Sequence, residues 1–202
     1  MVQEQDRTVH FIMTDFITDF ADQADILPVV LTVACIMGLR GWWQGMYVWS
    51  VVIVLTLGIM LLLKIAGLYY AWLTQTVVIS PSGHVASACV AYGGLLVLLW
   101  RRQLVRYPVA MLVPLLGVAV VIGYTRLQLQ AHTMGEVIVG ALVGCIGGMV
   151  LGMKCGPVPP SLWGYLLPCV VCIAMVFHGF HMGAETTIRH VFSPEELFPT
   201  HL

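Results

Sequence analysis

Charge is what this sequence has least of. Asp, Glu, Lys and Arg make up 9% of the chain, against roughly a quarter in soluble domains, and mean hydropathy is +0.93. That shortage excludes a soluble globular domain and a basic nucleic-acid face, and leaves an integral membrane protein. A positive leader is missing too. Residues 1–25 hold Glu4, Asp6, Asp15, Asp19, Asp22 and Asp25 against a single Arg7, the reverse of a signal peptide. There is no sign of a disulfide framework. The six cysteines fall almost entirely in apolar runs, where cysteine is a small hydrophobe, and Cys169-Val-Val-Cys172 has no polar flank. His178 and His181 have the spacing of a metal pair but no third ligand nearby in sequence, so no metal and no cofactor is expected. The two halves share no broken or charged midspan segments, which a small transporter would repeat.

What is present is a series of apolar runs. The 202 residues fit one domain with about six spans of roughly 20 residues. The expected class is all-α, a polytopic bundle of six transmembrane helices. Spans are expected from about Ile26 to Leu39, from Met46 through Lys64, from the Ser80 cluster to Trp100, from Pro108 to Tyr124, from Met134 to Met153 and from Leu162 to Phe180. Residues 26–182 then form the membrane domain and 183–202 a polar tail. Residues 1–25 read as an amphipathic helix on the membrane surface or as an acidic disordered tail. In the first case Phe11, Ile12, Phe16, Ile17 and Phe20 make the apolar stripe.

Six spans put Arg40, Arg101, Arg102, Arg106 and Lys154 on one face without a single acid. Both termini and every Asp and Glu lie on the other. The positive-inside rule makes the basic face cytoplasmic, in an inner membrane, with the polar clusters on the periplasmic or extracellular side. Gly140, Gly144, Gly148 and Gly152 form a stripe on one helix face, which serves close packing within the chain or a homodimer contact.

In so apolar a chain each polar cluster needs a reason. Two stand out: Ser80-Pro81-Ser82-Gly83-His84, and Thr125-Arg126 with His132, Thr133 and Glu136 beyond. Taken singly, each of these residues has an ordinary structural use. Thr133 and Glu136 make a capping box, Pro81-Ser82 a helix start, and Arg126 a side chain that snorkels to headgroups. Their joint order and spacing point to a phosphoryl site.

This pattern resembles the type 2 phosphatidic acid phosphatase superfamily, which also holds vanadium haloperoxidases and bacterial acid phosphatases. Its pattern is K-x6-R-P, then P-S-G-H, then S-R-x5-H-x3-D. The second element is complete. The third has Thr125 for Ser and Glu136 for Asp, and the first keeps Lys64 but has Ala71-Trp72 where Arg-Pro is usual. The resemblance runs from about Lys64 to Met153. It implies that His132 attacks phosphorus to give a phosphohistidine, oriented by Glu136, while His84 protonates the leaving alkoxide and then activates water. It also implies that Lys64, Ser82, Gly83, Thr125 and Arg126 hold the phosphate oxygens.

Residue chemistry agrees with these roles. Phosphoryl transfer needs fixed positive charge, an in-line nucleophile and an acid for the leaving group. Arg126 offers a planar two-toothed donor, and a helix opening at Ser82–His84 presents amides to an anion. The expected activity is hydrolysis of a lipid phosphate or pyrophosphate, of the phosphatidic acid, phosphatidylglycerol phosphate or undecaprenyl pyrophosphate class. The absent Arg favours a monophosphate over a pyrophosphate. Alternatives are a lipid phosphotransferase using the same histidine and a non-catalytic protein that binds a lipid headgroup or a partner.

Overall fold

The computed structural model describes residues 13–104 and 106–192. Residues 1–12 of the expected N-terminal segment and 193–202 of the expected tail lie outside these. Among the described residues every regular element is helical. The longer helices are α1 (Met13–Asp19), α2 (Gln23–Leu39), α3 (Trp43–Thr74), α4 (Gly83–Leu99), α5 (Leu112–Gln128), α6 (Met134–Lys154), α7 (Trp163–Phe177) and α8 (Ala184–Val191).

Helices α2 to α7 occupy the six apolar segments and alternate in direction. At one end the side chains of the two polar clusters meet. At the other, the Arg40 guanidinium lies 3.7 Å from the centre of the Tyr165 ring, and Arg101 Nε donates to the Gly152 carbonyl at 2.7 Å. The basic residues thus gather away from the polar clusters. By length and composition four helices can cross a membrane, or five if α1 and α2, bent by 41°, count as one span. Among the described residues, six spans of that length are not reached.

The third apolar segment is the reason. Helix α4 has 17 residues from Gly83 to Leu99, about 26 Å at 1.5 Å per residue, short of the roughly 30 Å hydrocarbon layer. It lies in the middle of the bundle, with Val85, Ala86, Ala88, Cys89, Val90 and Ala91 all at most 1% exposed. Its small residues let neighbours approach on every side. One apolar cluster joins it to α2, α3 and α7 around Trp49, Ile53 and Leu166; a second joins it to α5 and α6 around Cys89, Leu115 and Cys145. Many exposed side chains of the outer helices, including Leu62, Val120 and Ile146, are apolar, as lipid requires.

The glycine stripe of α6 serves this packing. A methyl group at Gly140 would collide with the Ser82 carbonyl, at Gly144 with the Ala86 carbonyl, at Gly148 with Leu115 and at Gly152 with Val97. All four are buried inside the chain, so the homodimer contact expected as one use of this face is ruled out for it.

Helix α3 has 32 residues, and Lys64 stands about 31 Å along it from Trp43, roughly one hydrocarbon thickness. Gln75 ends the helix in a left-handed conformation, φ 54°. The chain then doubles back as an extended segment, so closely that the Ile79 carbonyl rests on Gly67, where no Cβ fits. This return brings Ser80 beside Lys64.

The N-terminal acids differ from the expected solvated face. Asp22 is 8% exposed and Asp25 is fully buried, while Met13 and Phe16 point outward. Thr14, Thr18, Asp22 and Asp25 follow helical spacing and share the inner face. In a lipid environment the polar stripe of an amphipathic segment turns toward the protein, where it finds partners. Tyr92 Oη donates to Asp25 at 2.8 Å, and the Ala24 amide donates to Asp22 at 2.8 Å. The break before Gln23 is a capped helix start.

Candidate active site

The site is assembled where α2, α4 and α6 begin and α5 ends, with Lys64 reaching in from α3. Thr133 caps α6: its Oγ1 accepts from the Glu136 amide, while Glu136 Oε2 accepts from the Thr133 amide at 2.8 Å. The capping box read from sequence is therefore real, yet Glu136 has two further partners. Its Oε1 accepts from the Ser80 amide at 2.6 Å, and its Oε2 lies 3.4 Å from His132 Nδ1. The Glu136 main-chain carbonyl also accepts from the Ser82 amide at 3.0 Å. One residue thus ties the first polar cluster to the second and fixes the His132 ring.

With Nδ1 held by a carboxylate, Nε2 is the atom left to react. His132 is buried, in the turn between α5 and α6. Burial holds its imidazole below the ordinary histidine value. Glu185 opposes that shift, Arg126 and Lys64 add to it, and Glu136 opposes it weakly. The outcome is a neutral ring with a lone pair, as a nucleophile needs.

Lys64 is 7% exposed, and such a cation must be paired. Its Nζ donates to Ser80 Oγ at 3.0 Å and lies 3.3 Å from Glu185 Oε2. The same Glu185 oxygen is 3.8 Å from His132 Nε2, too long for a hydrogen bond. Lys64, Gly83, His84, Arg126 and Glu185 together line a cavity of about 130 Å³. His84 Nε2 is 3.6 Å from Asp22 Oδ2. The other Asp22 oxygen accepts from the Ala24 and Met182 amides, so the carboxylate that faces His84 is firmly fixed.

Five buried side-chain polar atoms have no hydrogen-bond partner among the described residues, and three belong to the recognised pattern: Ser82 Oγ, Arg126 Nε and His132 Nε2. Leaving a buried donor or acceptor unmade costs about 1–3 kcal/mol. Three from one pattern suit a site that an anion completes.

The structure therefore brings Lys64, Gly83, His84 and Arg126 to one cavity. It joins His132 to that cluster through Glu185, and Ser82 through the Glu136 carbonyl. Thr125 does not join them. Its hydroxyl donates to the Ile122 carbonyl at 2.8 Å, and its side chain lies toward α1 with Met13 and Ile17. An interior Thr on a helix readily bonds back to its own turn, so its proton is engaged away from the cavity. Ala71, where the pattern usually has Arg, is buried under the turn and accepts from the Thr76 amide.

Two residues escaped the sequence reading. Asp22 lay among acids read as a solvated face, and Glu185 in a stretch read as a polar tail. The detectable signal for Asp22 was its place on one helical stripe with Thr14, Thr18 and Asp25. Glu185 carried none, since α8 reaches the site only through tertiary folding. His178 and His181 are explained without a metal. His178 Nε2 lies 2.9 Å from the Phe16 carbonyl and its ring packs against Phe16 and Phe20, while His181 pairs with Asp19 and Asp22 at 3.8 Å. They fasten the segment between α7 and α8 to α1 and to the bend between α1 and α2.

Comparison with known proteins agrees with this arrangement. Residues 67–156 match the family model of the PAP2 superfamily. The matched segment includes both polar clusters and begins just after Lys64. No curated protein and no solved structure matches the chain.

Proposed function

We propose, from the match of residues 67–156 to the PAP2 superfamily model, that this membrane protein is a phosphohydrolase of lipid phosphates working through a phosphohistidine. The superfamily match supports the coarser part, phosphatase chemistry on a phosphate ester. The finer part is supported by one observation above all. His132 has Nδ1 tied to Glu136 and Nε2 without a hydrogen bond, facing a cluster that holds Lys64, Arg126 and His84.

In this reading the phosphoryl oxygens lie against Arg126, Lys64, Ser82 Oγ and the amides that open α4. Fixed donors of this kind act mainly by stabilising the spread charge of the transition state. His132 Nε2 attacks phosphorus, the bond from phosphorus to the lipid alkoxide oxygen breaks, and the alkoxide takes a proton from His84. Water then attacks the phosphohistidine, gives a proton back to His84, and orthophosphate leaves as the P–N bond breaks. Asp22 orients His84 as Glu136 orients His132. Histidine roles of this kind follow from geometry and protonation state, and no metal enters the scheme.

The lipid tail stays in the bilayer while the headgroup reaches the cavity between helices. The chain crosses an inner membrane with the site on the periplasmic or extracellular side. Helix α4 is the buried member of an alternating set of six, and this arrangement keeps all the basic residues of the far end together.

Phosphate release from a panel of lipid phosphates tests the reading. Wild type should release phosphate, and His132→Ala and His84→Ala should lower kcat/KM by about a thousandfold or more. Vanadate should inhibit by mimicking the five-coordinate state. Without the usual Arg at Ala71, phosphatidate should be cleaved faster than a prenyl pyrophosphate. Undiminished turnover in His132→Ala would sink the mechanism.

A further inference from the structure

The cations of this site are already engaged by a carboxylate of the chain itself. Resting on the phosphatase reading above, we propose that Glu185 is a resident competitor of substrate at this site, which a dianionic phosphate monoester displaces and a monoanionic phosphodiester leaves in place. Its Oε2 lies 3.3 Å from Lys64 Nζ and 3.8 Å from His132 Nε2, and its Oε1 accepts from Ser80 Oγ at 3.3 Å. It shares the 130 Å³ cavity with Arg126 and His84.

A phosphorus atom poised for attack sits about 3–3.5 Å from its nucleophile. A carboxylate oxygen already stands 3.8 Å from His132 Nε2. Carboxylate and phosphoryl group cannot both be there, so substrate binding is an exchange. What the substrate gains at Lys64 and Arg126 is set against what Glu185 gives up. A phosphodiester replaces one negative charge by one, and the electrostatic balance barely moves. A phosphate monoester replaces one by two, and in a partly desolvated pocket that extra charge is worth far more than in water.

The setting makes such a filter useful. A phosphate pocket open toward a bilayer is surrounded by phospholipid diesters at very high local concentration, and by mass action they would fill an unguarded cation cluster. The moving part is small. Helix α8 has eight residues, starts from Gly183 in the left-handed region at φ 57°, and leaves the Glu185 side chain 30% exposed. Glu185 can withdraw without unpacking the bundle.

The test uses the purified full chain in neutral detergent and a matched pair of ligands at pH 7.5, methyl phosphate and dimethyl phosphate. Their affinities are measured by calorimetry, which needs no turnover. Wild type should bind methyl phosphate at least about tenfold more tightly than dimethyl phosphate. In Glu185→Gln both ligands should tighten at least about tenfold, because both displace the same carboxylate. In Glu185→Asp, which keeps the charge, both affinities should stay near the wild-type values. An unchanged affinity for dimethyl phosphate in Glu185→Gln, or equal tightening in the Asp and Gln variants, overturns the proposal and leaves the phosphatase reading standing. If no protein of the set binds methyl phosphate, and wild type releases no phosphate from phosphatidate, the phosphatase reading falls and takes this proposal with it.

Discussion

At the scale of single residues, the site is a balance of buried charges, and the proposed mechanism needs His132 neutral. Its imidazole is held down by burial, with Arg126 and Lys64 acting the same way, while Glu185 and Glu136 pull it up. A histidine depressed below the ordinary value of about 6.5 stays unprotonated until the pH falls through that lower value. In the proposed mechanism, attack by His132 therefore sets an acid limb of kcat/KM below about pH 6.5. Glu185→Gln removes one of the two groups that favour the charged ring, so this limb should move to still lower pH. A pH–rate profile of both proteins checks the sign. An acid limb that rises in the variant would contradict the assigned surroundings of His132.

Among elements, the contact between α4 and α6 governs whether the site exists. Gly140 lies against the Ser82 carbonyl, and the Glu136 carbonyl takes the Ser82 amide, so the start of α4 is clamped at backbone level. Gly140→Ala forces that clamp apart. Overpacking of this kind costs about 2 kcal/mol, and here it also displaces Ser82 and Gly83 from the cation cluster. The expected result is a lower melting temperature together with a loss of kcat/KM larger than the stability change explains. Gly117→Ala is the control, since Gly117 sits on α5 with nothing near its missing side chain. If both variants behave alike, the close approach is not what holds the site. The return of the chain after Gln75, with Ile79 on Gly67, is the matching device that delivers Ser80.

On the scale of the whole molecule, the two ends differ in charge and in purpose. One carries Arg40, Arg101 and Arg102, the other both histidines of the site and the carboxylates that face them. An orientation with the basic end in the cytoplasm predicts a labelling pattern for intact cells. In a cysteine-free background, Thr187→Cys should react with an impermeant thiol reagent, and Arg102→Cys only after the membrane is opened. The reverse pattern would invert the proposed topology. The lateral approach proposed for a lipid belongs to this scale too, because the outer helices present apolar side chains to the bilayer.

Periodicity and spacing made some of this legible in advance. Apolar runs determined the helices, since any other backbone in lipid leaves its polar groups unsatisfied. Pro81-Ser82-Gly83-His84 and Arg126 with His132 and Glu136 marked the site because such residues are rare at that depth. Local rules also fixed the Thr133–Glu136 cap. Tertiary structure alone decided the rest. It buried α4 as a central helix, spent the Thr125 hydroxyl on Ile122, turned the glycine stripe inward, and brought Asp22 and Glu185 from opposite ends of the chain onto the two histidines. Those outcomes depend on which surfaces meet, and residues far apart in sequence carry no local signal of the partner that folding gives them.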